Sequence, residues 1–489
     1  MPLNLVRNSK VFFTTNVDAN GKVNTTGFTA SNTQELQVLD GFSFSQNTNA
    51  ETVTISEAGN TPVRGQRNFN TSLAPVDFSM STYIRPKNAT GSITAEENVL
   101  WNALFGDVNY NTTPSNTLAA ITGVTYAFNN TTGLGTVTLA GTAITGTLPV
   151  VGEAVVIAGI ATTTPAGNET FLNAAGIVRT AAVNGVTIEL FNPGKVSVTA
   201  VTFQTAGTIR LYKSAWAPSN AAFSYVSSSM SDKHQLQRFG MLFIVDQVVY
   251  AVDNAAMGQV SIDFGLDAIA TAAWTGQGTA LRQIATGATA VTGAFGGGTL
   301  TGNYTQKVTD AQFITNKLST VALTLVNTLR DSQGATQGAA GDVYNIAVTG
   351  GNITINNNIT YITPAILGTV NLPVTYYTGS RAITGSLNAY LRTGGTRDTG
   401  ELLSDMLNAA SVTIEPMASL VINIGGVNNT VKVAIDMPAT VISVPTVDVQ
   451  QVVSTVINFT AQGVTPSTTA DANFFNLEKT NDITLRYYA

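Results

Sequence analysis

Apolar and polar residues alternate in several short stretches of the chain, which is the pattern of strands with one buried face. The first such stretch is Lys10–Thr15, and it is followed by Glu35–Ser45, Glu51–Ser56 and Val76–Arg85. Asparagine, glycine, threonine and proline separate these stretches, as turns require. The first part of the chain is therefore predicted to be a series of strands.

One helix is predicted after these strands. Thr94 is expected to begin it, and Glu96 and Glu97 fall in the first turn, where the helix dipole favours acidic side chains. Gly106 ends the pattern. The apolar residues at helical spacing are Val99, Leu100, Ala103 and Leu104.

The same order of features returns in the second part of the chain. The stretch 62–85 ends in Tyr83-Ile84-Arg85, and the stretch 373–392 ends in Tyr390-Leu391-Arg392. A sequence that repeats its landmarks in order predicts a duplicated β unit. The other repeated landmarks are Ser319–Leu325 for the first strand, Glu401–Leu407 for the helix, Leu420–Ile435 for Met241–Val252, and Val452–Gly463 for the run that ends at Gly278.

Within the first of these copies lies a segment of different character. Residues 116–212 contain short Val/Thr/Ile runs separated by Gly, Asn and Pro, with few charges. This spacing predicts a separate small β-sandwich or β-barrel inserted into the first unit. The expected division is a discontinuous first unit at 1–115 and 213–284, the insertion, a linker or loop at 285–312, and a second unit at 313–489. The predicted fold class is mainly β.

The composition is unusually poor in charge. Charged residues make up 11% of the chain, against roughly 25% in ordinary globular proteins. Neutral polar residues suit a β surface that neighbouring subunits cover, because charges are costly to remove from water. The net charge of −6 argues against a protein that binds nucleic acid tightly, since that requires clustered Lys and Arg. A mildly acidic surface would instead repel DNA, which is useful where DNA must slide past without binding.

Candidate chemistry is sparse. The chain has no cysteine, which fits assembly in a reducing cytoplasm, and its one histidine, His234, lacks a nearby cluster of metal or catalytic partners. Gly296–Gly298 lacks the Lys-Ser/Thr ending of a phosphate loop, and Asp263 and Asp267 are interpreted as solvated loop residues. We therefore expect no enzymatic activity, cofactor or metal. No apolar run has the length of a signal peptide or membrane span, so no membrane anchor is expected.

The stretch 51–87, followed by Ala95–Gly106, resembles the core of the tail tube proteins of long-tailed bacteriophages. The resemblance extends over about 8–106 and 223–278, is weaker over 313–489, and does not include the insertion. It implies two tandem β-sandwich or partial-barrel units, each with a flanking helix, and an immunoglobulin-like domain as the insertion. It also implies a structural virion protein of the phage tail, assembled in the host cytoplasm.

The resemblance further implies how such a protein assembles and what it contacts. A chain with two units is expected to form trimeric, pseudo-hexameric rings that stack into a hollow tube around a tape-measure protein. The tube later conducts genome DNA into the host without sequence-specific binding. Baseplate or tail-tip proteins and terminator proteins are the other expected partners; a tail sheath is left open, as is a contractile or non-contractile tail.

The geometry of such a ring is consistent with this role. Four strands from each unit would give a trimer a closed barrel of about 24 strands, with a backbone diameter of about 50 Å. Side chains would narrow the channel to about 40 Å, which admits B-DNA.

Five arginines are candidate contacts between subunits or rings: Arg64, Arg67, Arg85, Arg381 and Arg392. In the second copy Thr375 or Tyr376 and a displaced Arg381 stand in place of Arg64 and Arg67, so alternate interfaces around a ring are expected to differ. The alternative function is a capsid decoration protein or adhesin, with a receptor- or glycan-binding module at 116–212.

Overall fold

The fold of the 489-residue chain is that of a computed structural model. The structure describes residues 9–29, 32–39, 41–53, 67–89, 92–105, 116–129, 134–146, 148–149, 154–160, 162–164, 172, 175–190, 200–202, 209–212, 215–219, 222–228, 236–266, 268–286, 294–295, 298–299, 312–367, 370–413, 416–426, 431–449, 452–462 and 481–488.

The fold is mainly β, as predicted. Before the insertion the elements are β1 (Lys10–Thr14), β2 (Thr33–Leu36), β3 (Ser43–Val53), β4 (Arg67–Tyr83), β5 (Pro86–Ala89), β6 (Ser92–Ala95) and α1 (Asn98–Phe105). Those between Asn116 and Tyr212 are β7 (Asn116–Leu118), β8 (Gly123–Asn129), β9 (Leu134–Ala140), β10 (Ala154–Ala158), β11 (Thr162–Thr164), β12 (Ala175–Ala182), β13 (Gly185–Leu190), β14 (Ala200–Thr202) and β15 (Ile209–Tyr212).

The elements that follow complete the first unit and form the second. They begin with β16 (Ala215–Ser219), β17 (Ala222–Ser228), β18 (Phe239–Val245), β19 (Val248–Gly265), β20 (Thr271–Gly278), β21 (Ala280–Thr286), β22 (Ala294–Phe295) and β23 (Gly298–Thr299). They continue with a 3-10 turn (Asn316–Leu318), β24 (Thr320–Leu325), β25 (Leu329–Arg330), β26 (Thr336–Gly338), β27 (Val343–Asn345), β28 (Val348–Asn356), β29 (Ile359–Ile362), β30 (Thr375–Thr378), β31 (Ala382–Tyr390), α2 (Thr399–Ala409), β32 (Met417–Ile424), β33 (Lys432–Ile442), β34 (Thr446–Asp448), β35 (Ser454–Ala461) and β36 (Asn481–Tyr488).

Two copies of one strand arrangement are present. In the first, the antiparallel pairs are β1–β2, β1–β18, β18–β19, β19–β20, β19–β21, β4–β20 and β3–β4. In the second they are β24–β27, β24–β32, β32–β33, β33–β35, β33–β36, β31–β35 and β28–β31. Each pair of the first copy has its counterpart in the second, which is the pattern that a duplicated unit predicts. We call these copies the first unit and the second unit.

The segment 116–212 has its own sheet and core. Seven strands pair in the order β7-β15-β10-β12-β13-β9-β8, and β11 pairs with β14 in a second, smaller sheet. Its buried residues, including Tyr126, Val137 and Ile188, form a cluster separate from the large core shared by the two units. The exact domain boundaries and the immunoglobulin-like assignment stay predictions.

The predicted start of α1 is wrong. Residues Ser92–Ala95 form β6, and the helix begins only at Asn98, so Glu96 and Glu97 precede its first turn. Glu96 instead forms an ion pair with Arg85, and Glu97 is buried. These side-chain interactions, and not the helix dipole, explain the two carboxylates. The second helix, α2, includes the predicted Glu401–Leu407.

A reciprocal exchange of phenylalanine and glycine marks the two copies. Phe78 on β4 lies opposite Gly276 on β20, and a Cβ at Gly276 would collide with the Phe78 ring. In the second unit the roles are reversed, because Gly385 on β31 lies opposite Phe459 on β35. One ring fills the same position of the core from either strand, and the facing residue must be glycine.

This arrangement predicts strong coupling between Phe78 and Gly276. We expect Phe78→Gly and Gly276→Phe to destabilise the chain by about 3 kcal/mol each, through a cavity and a clash respectively. The double variant reproduces the arrangement of the second unit and should lose at least about 2 kcal/mol less than the sum. Denaturant unfolding measures this coupling, and additive losses would contradict the shared position.

Candidate functional site

One continuous antiparallel sheet runs through both units. Its order is β3-β4-β20-β19-β28-β31-β35-β34, with four strands from each unit. The joint between the units is the pairing of β19 with β28, from Gln259 opposite Asn356 to Gly265 opposite Gly350. The two units therefore contribute to one eight-stranded sheet, which we call the wall.

One face of this wall carries the large hydrophobic core. Trp274, Ile262, Ile353 and Leu387 are buried on it. The other face is polar, and none of its residues is buried. They are Ser43, Ser45, Asp77, Ser79, Ser81, Gln259, Ser261, Asp263, Ala273, Thr275, Gln277, Asn352, Thr354, Asn356, Thr384, Ser386, Asn388, Val456, Asn458 and Thr460.

The polar face is almost free of charge. Of the residues just named, Asp77 and Asp263 are the ionisable ones, and none is basic. Asp263 lies on β19, so its interpretation as a loop residue was wrong; Asp267 lies outside the described residues. A surface of hydroxyl and amide groups gives a polyanion no cation to bind.

Many polar groups of this face bond to one another across strands. The Gln277 amide donates to Asp77 over 2.8 Å, and the hydroxyl oxygens of Ser43 and Ser79 are 2.8 Å apart. At the joint, the Thr354 hydroxyl donates to that of Ser261 over 3.3 Å. These cross-strand bonds hold the polar side chains close to the sheet.

The joint between the units is reinforced by an arm from the second unit. The arm is the hairpin β29–β30. The backbone oxygens of Asn254 and Gln277 lie 2.7 and 2.9 Å from its Tyr361 hydroxyl, which shares its one proton between them. The Tyr376 hydroxyl donates to the backbone oxygen of Leu236 over 3.0 Å. Both tyrosines are buried against the first unit. The sheet pairing and the arm thus act together at this joint.

The last strand also connects the units. Tyr487 on β36 donates a hydrogen bond to Glu97 over 2.6 Å, and the indole nitrogen of Trp101 donates to the same carboxylate over 3.1 Å. Glu97 is 3% exposed. Burial raises its pKa to about 7, although the hydrogen bonds from Tyr487 and Trp101 act in the opposite direction. Sequence reasoning missed this cluster because its members are far apart in the chain.

The predicted arginine contacts have different surroundings. Arg85 is buried, pairs with Glu96, and stacks on the Phe313 ring with 4.7 Å between guanidinium carbon and centroid. Arg381 lies 3.7 Å from Asp482, and burial lowers the pKa of its guanidinium. Both charges therefore have partners within the chain.

The structure describes less of the surroundings of the other three arginines. Arg392 is exposed just beyond β31. Arg67 begins β4, and nothing is described of its side chain, while Arg64 lies outside the described residues, as does His234. Contacts of all five arginines with other subunits stay predictions.

Among the described residues, no group of three or more His, Cys, Asp or Glu could hold a metal ion. Gly298 lies in β23, and Gly296 and Gly297 lie outside the described residues. Within the part of the chain that the structure describes, no helix is long and apolar enough to cross a membrane.

Comparison with known proteins identifies a relative. No protein-family model matches the chain. The chain is 23% identical over 476 residues to tail tube protein pb6 of Escherichia phage T5. The aligned region covers 94% of this chain and 73% of the relative. The resemblance to phage tail tube proteins is thereby confirmed.

The buried Glu97 predicts a specific pH dependence of stability. An unfolded glutamate loses its proton near pH 4.5, while the folded Glu97 retains it to about pH 7. The folded state therefore binds more protons in this window, and the free energy of unfolding should fall by about 3 kcal/mol as pH rises through it.

Glu97→Gln should remove this component, because the amide oxygen still accepts hydrogen bonds but does not ionise. Denaturant unfolding of the full chain at pH 5 and pH 7 measures the slope, and Glu51→Gln, at an exposed site, is the control. An unchanged slope in Glu97→Gln would contradict the assignment.

Proposed function

We propose that this chain, a relative of a phage tail tube protein, is the structural subunit of a hollow phage tail tube. Three copies form a pseudo-hexameric ring, and stacked rings form a conduit for genome DNA. The observation that carries this proposal is the eight-stranded wall, which has one polar, nearly uncharged face and a single strand neighbour for each of its end strands among the described residues.

The number of strands supports the ring. Eight strands from each of three chains give the 24 that a channel of about 40 Å requires. The polar face lines this channel, because the other face is occupied by the core and the helices. Ring closure also gives the end strands the partners that open sheet edges otherwise seek from foreign chains.

The charge of the lining suits transport. DNA and a tape-measure polypeptide both have to pass without being retained, and binding of DNA depends on basic side chains that release counterions. Asp77 and Asp263 repel phosphate weakly across hydrated side chains. The mechanism is therefore geometric and electrostatic, with no chemical step.

The remaining parts of the proposal are based on the similarity to a phage tail tube protein. The protein resides in the virion tail after assembly in the host cytoplasm. Baseplate or tail-tip proteins and terminator proteins lie at the ends of the tube. Residues 116–212 lie on the outside as an immunoglobulin-like domain. Arg64, Arg67, Arg85, Arg381 and Arg392 are the arginines proposed for contacts between copies, and Arg85 and Arg381 also have ion-pair partners inside the chain.

Electron microscopy combined with single-cysteine labelling tests this function. The chain has no cysteine of its own, so Ser261→Cys on the polar face and Val183→Cys in the insertion can each be coupled to biotin-maleimide. After assembly, we expect hollow tubes that bind streptavidin along their length at position 183 and only at their ends at position 261, because streptavidin is too wide to enter the channel.

Disassembled protein should bind streptavidin equally at both positions, which controls for labelling. Failure to form rings or tubes at high concentration would contradict the function. Streptavidin along the whole tube at position 261 would contradict the assignment of the lining. Saccharide binding by a chain that forms no tubes would favour the adhesin alternative.

A further inference from the structure

We propose that the ring closes by antiparallel pairing of β34 in one copy with β3 in the next, in the register that β19 and β28 use inside the chain. This inference rests on the proposed function and adds the strands and residues that meet. The joint inside the chain then serves as the template for the joint between copies.

The strand pairings fix which residues correspond. Tyr83 pairs with Thr271 in the first unit, and Tyr390 pairs with Ser454 in the second. Counting from these pairs, β3 corresponds to β28, because Ser43 and Asn352 both lie opposite a serine at the same position of β4 and β31. Likewise β34 corresponds to the last part of β19.

A short sequence repeat supports the second correspondence. Ser261–Phe264 reads Ser-Ile-Asp-Phe, and Thr446–Val449 reads Thr-Val-Asp-Val. Ser261 pairs with Ala273 and Thr446 with Val456, which are equivalent positions of β20 and β35. Pro445 precedes the repeat and separates β34 from β33, where the first unit has the continuous β19.

Burial differs sharply between the two repeats. Ile262 and Phe264 are 0% and 2% exposed, since β28 covers that edge of β19. Their counterparts Val447 and Val449 are 43% and 79% exposed. Two apolar positions that are buried in the first unit are therefore exposed in the second. What β34 lacks among the described residues is a neighbouring strand equivalent to β28.

The strand with the right properties is β3 of another copy. Among the described residues β3 pairs only with β4, so its other edge has no strand neighbour. The template register places Thr446 opposite Ser45, Val447 opposite Phe44, and Val449 opposite Phe42. Phe42 and Phe44 are half-buried, which leaves part of each ring for a neighbour.

Side-chain sizes are complementary in both joints. Inside the chain, Phe264 lies opposite Gly351, and a Cβ on that glycine would come within 2.8 Å of the ring. In the joint between copies the sizes are reversed. The smaller Val449 stands at the position of Phe264, and the larger Phe42 stands opposite it at the position of Gly351. The same exchange occurs between Phe78–Gly276 and Gly385–Phe459, so it is a feature of the duplication.

The arm gives a second, independent correspondence. Tyr376 lies seven residues before Ile383, and Phe69 lies seven residues before the equivalent Val76. Tyr376 is 7% exposed because it packs on the first unit, whereas Phe69 is 48% exposed. The hairpin β3–β4 bonds to Asn371 within the chain through Thr71 and Leu73, yet it leaves the Phe69 ring exposed, and the second unit of the neighbouring copy covers this ring.

Engineered disulfides test the register. Ser45→Cys with Thr446→Cys should crosslink assembled tubes into covalent dimers and trimers, with the trimer as the end product. Ser261→Cys with Thr354→Cys is the matched control, since these hydroxyls already lie 3.3 Å apart within one chain. Ser43→Cys with Thr446→Cys is displaced by two residues and should react at least about tenfold less, because diagonal neighbours exceed disulfide reach.

The outcomes separate the joint from the function. Tubes that form but give no crosslink at 45/446, while 261/354 reacts, would overturn the joint and leave the tube intact. Equal reaction at 43/446, or a disulfide within one chain at 45/446, would overturn the register. Absence of rings and tubes in the unmodified chain would overturn the proposed function and this inference with it.

A charge in the joint provides a second test. Val447→Asp should leave the unfolding midpoint of the monomer unchanged, because the side chain is exposed, yet reduce tube formation at least about tenfold by burying a carboxylate between copies. Val183→Asp, at a similarly exposed valine in the insertion, should assemble normally. Normal assembly of Val447→Asp would overturn the inference.

Discussion

The backbone hydrogen bonds of an open sheet edge are the constraint on which the rest of this structure depends. Within the chain, β19 satisfies its edge by pairing with β28, and one polar wall spans both units. The wall still ends at β3 and β34, whose outer edges have no strand neighbour among the described residues. An open edge promotes uncontrolled association unless the fold directs it to one partner. Self-association in a fixed register makes the edge the means of assembly.

The low charge follows from the same constraint. A residue that faces a neighbouring copy is removed from water on assembly, and a residue that faces the channel must not retain what passes. Serine, threonine, asparagine and glutamine satisfy both requirements, because they bond to one another across strands, as Gln277 does with Asp77. The charges that are buried have partners, such as Arg85 with Glu96.

Sequence patterns predicted the β class, the second helix and the order of the repeated landmarks, because alternation and helical spacing depend on local residues. They failed where distant contacts decide. The start of α1 was placed too early since the role of Glu97 depends on Tyr487, nearly four hundred residues away. The first half of β4 was missed because residues such as Asn68 and Asn70 are exposed on the β3–β4 hairpin and show no alternation. The wall face required strand register, although the Ser-Ile-Asp-Phe and Thr-Val-Asp-Val repeat contained a usable indication.

A helical reconstruction of assembled tubes by electron cryomicroscopy tests the central claim most directly. The account predicts three chains per ring, eight wall strands from each chain, and Val447 of one copy beside Phe44 of the next. The joint between copies should superpose on the β19–β28 joint inside each chain. A ring whose copies meet through other strands, or whose channel is lined by the face that carries Trp274, would contradict it.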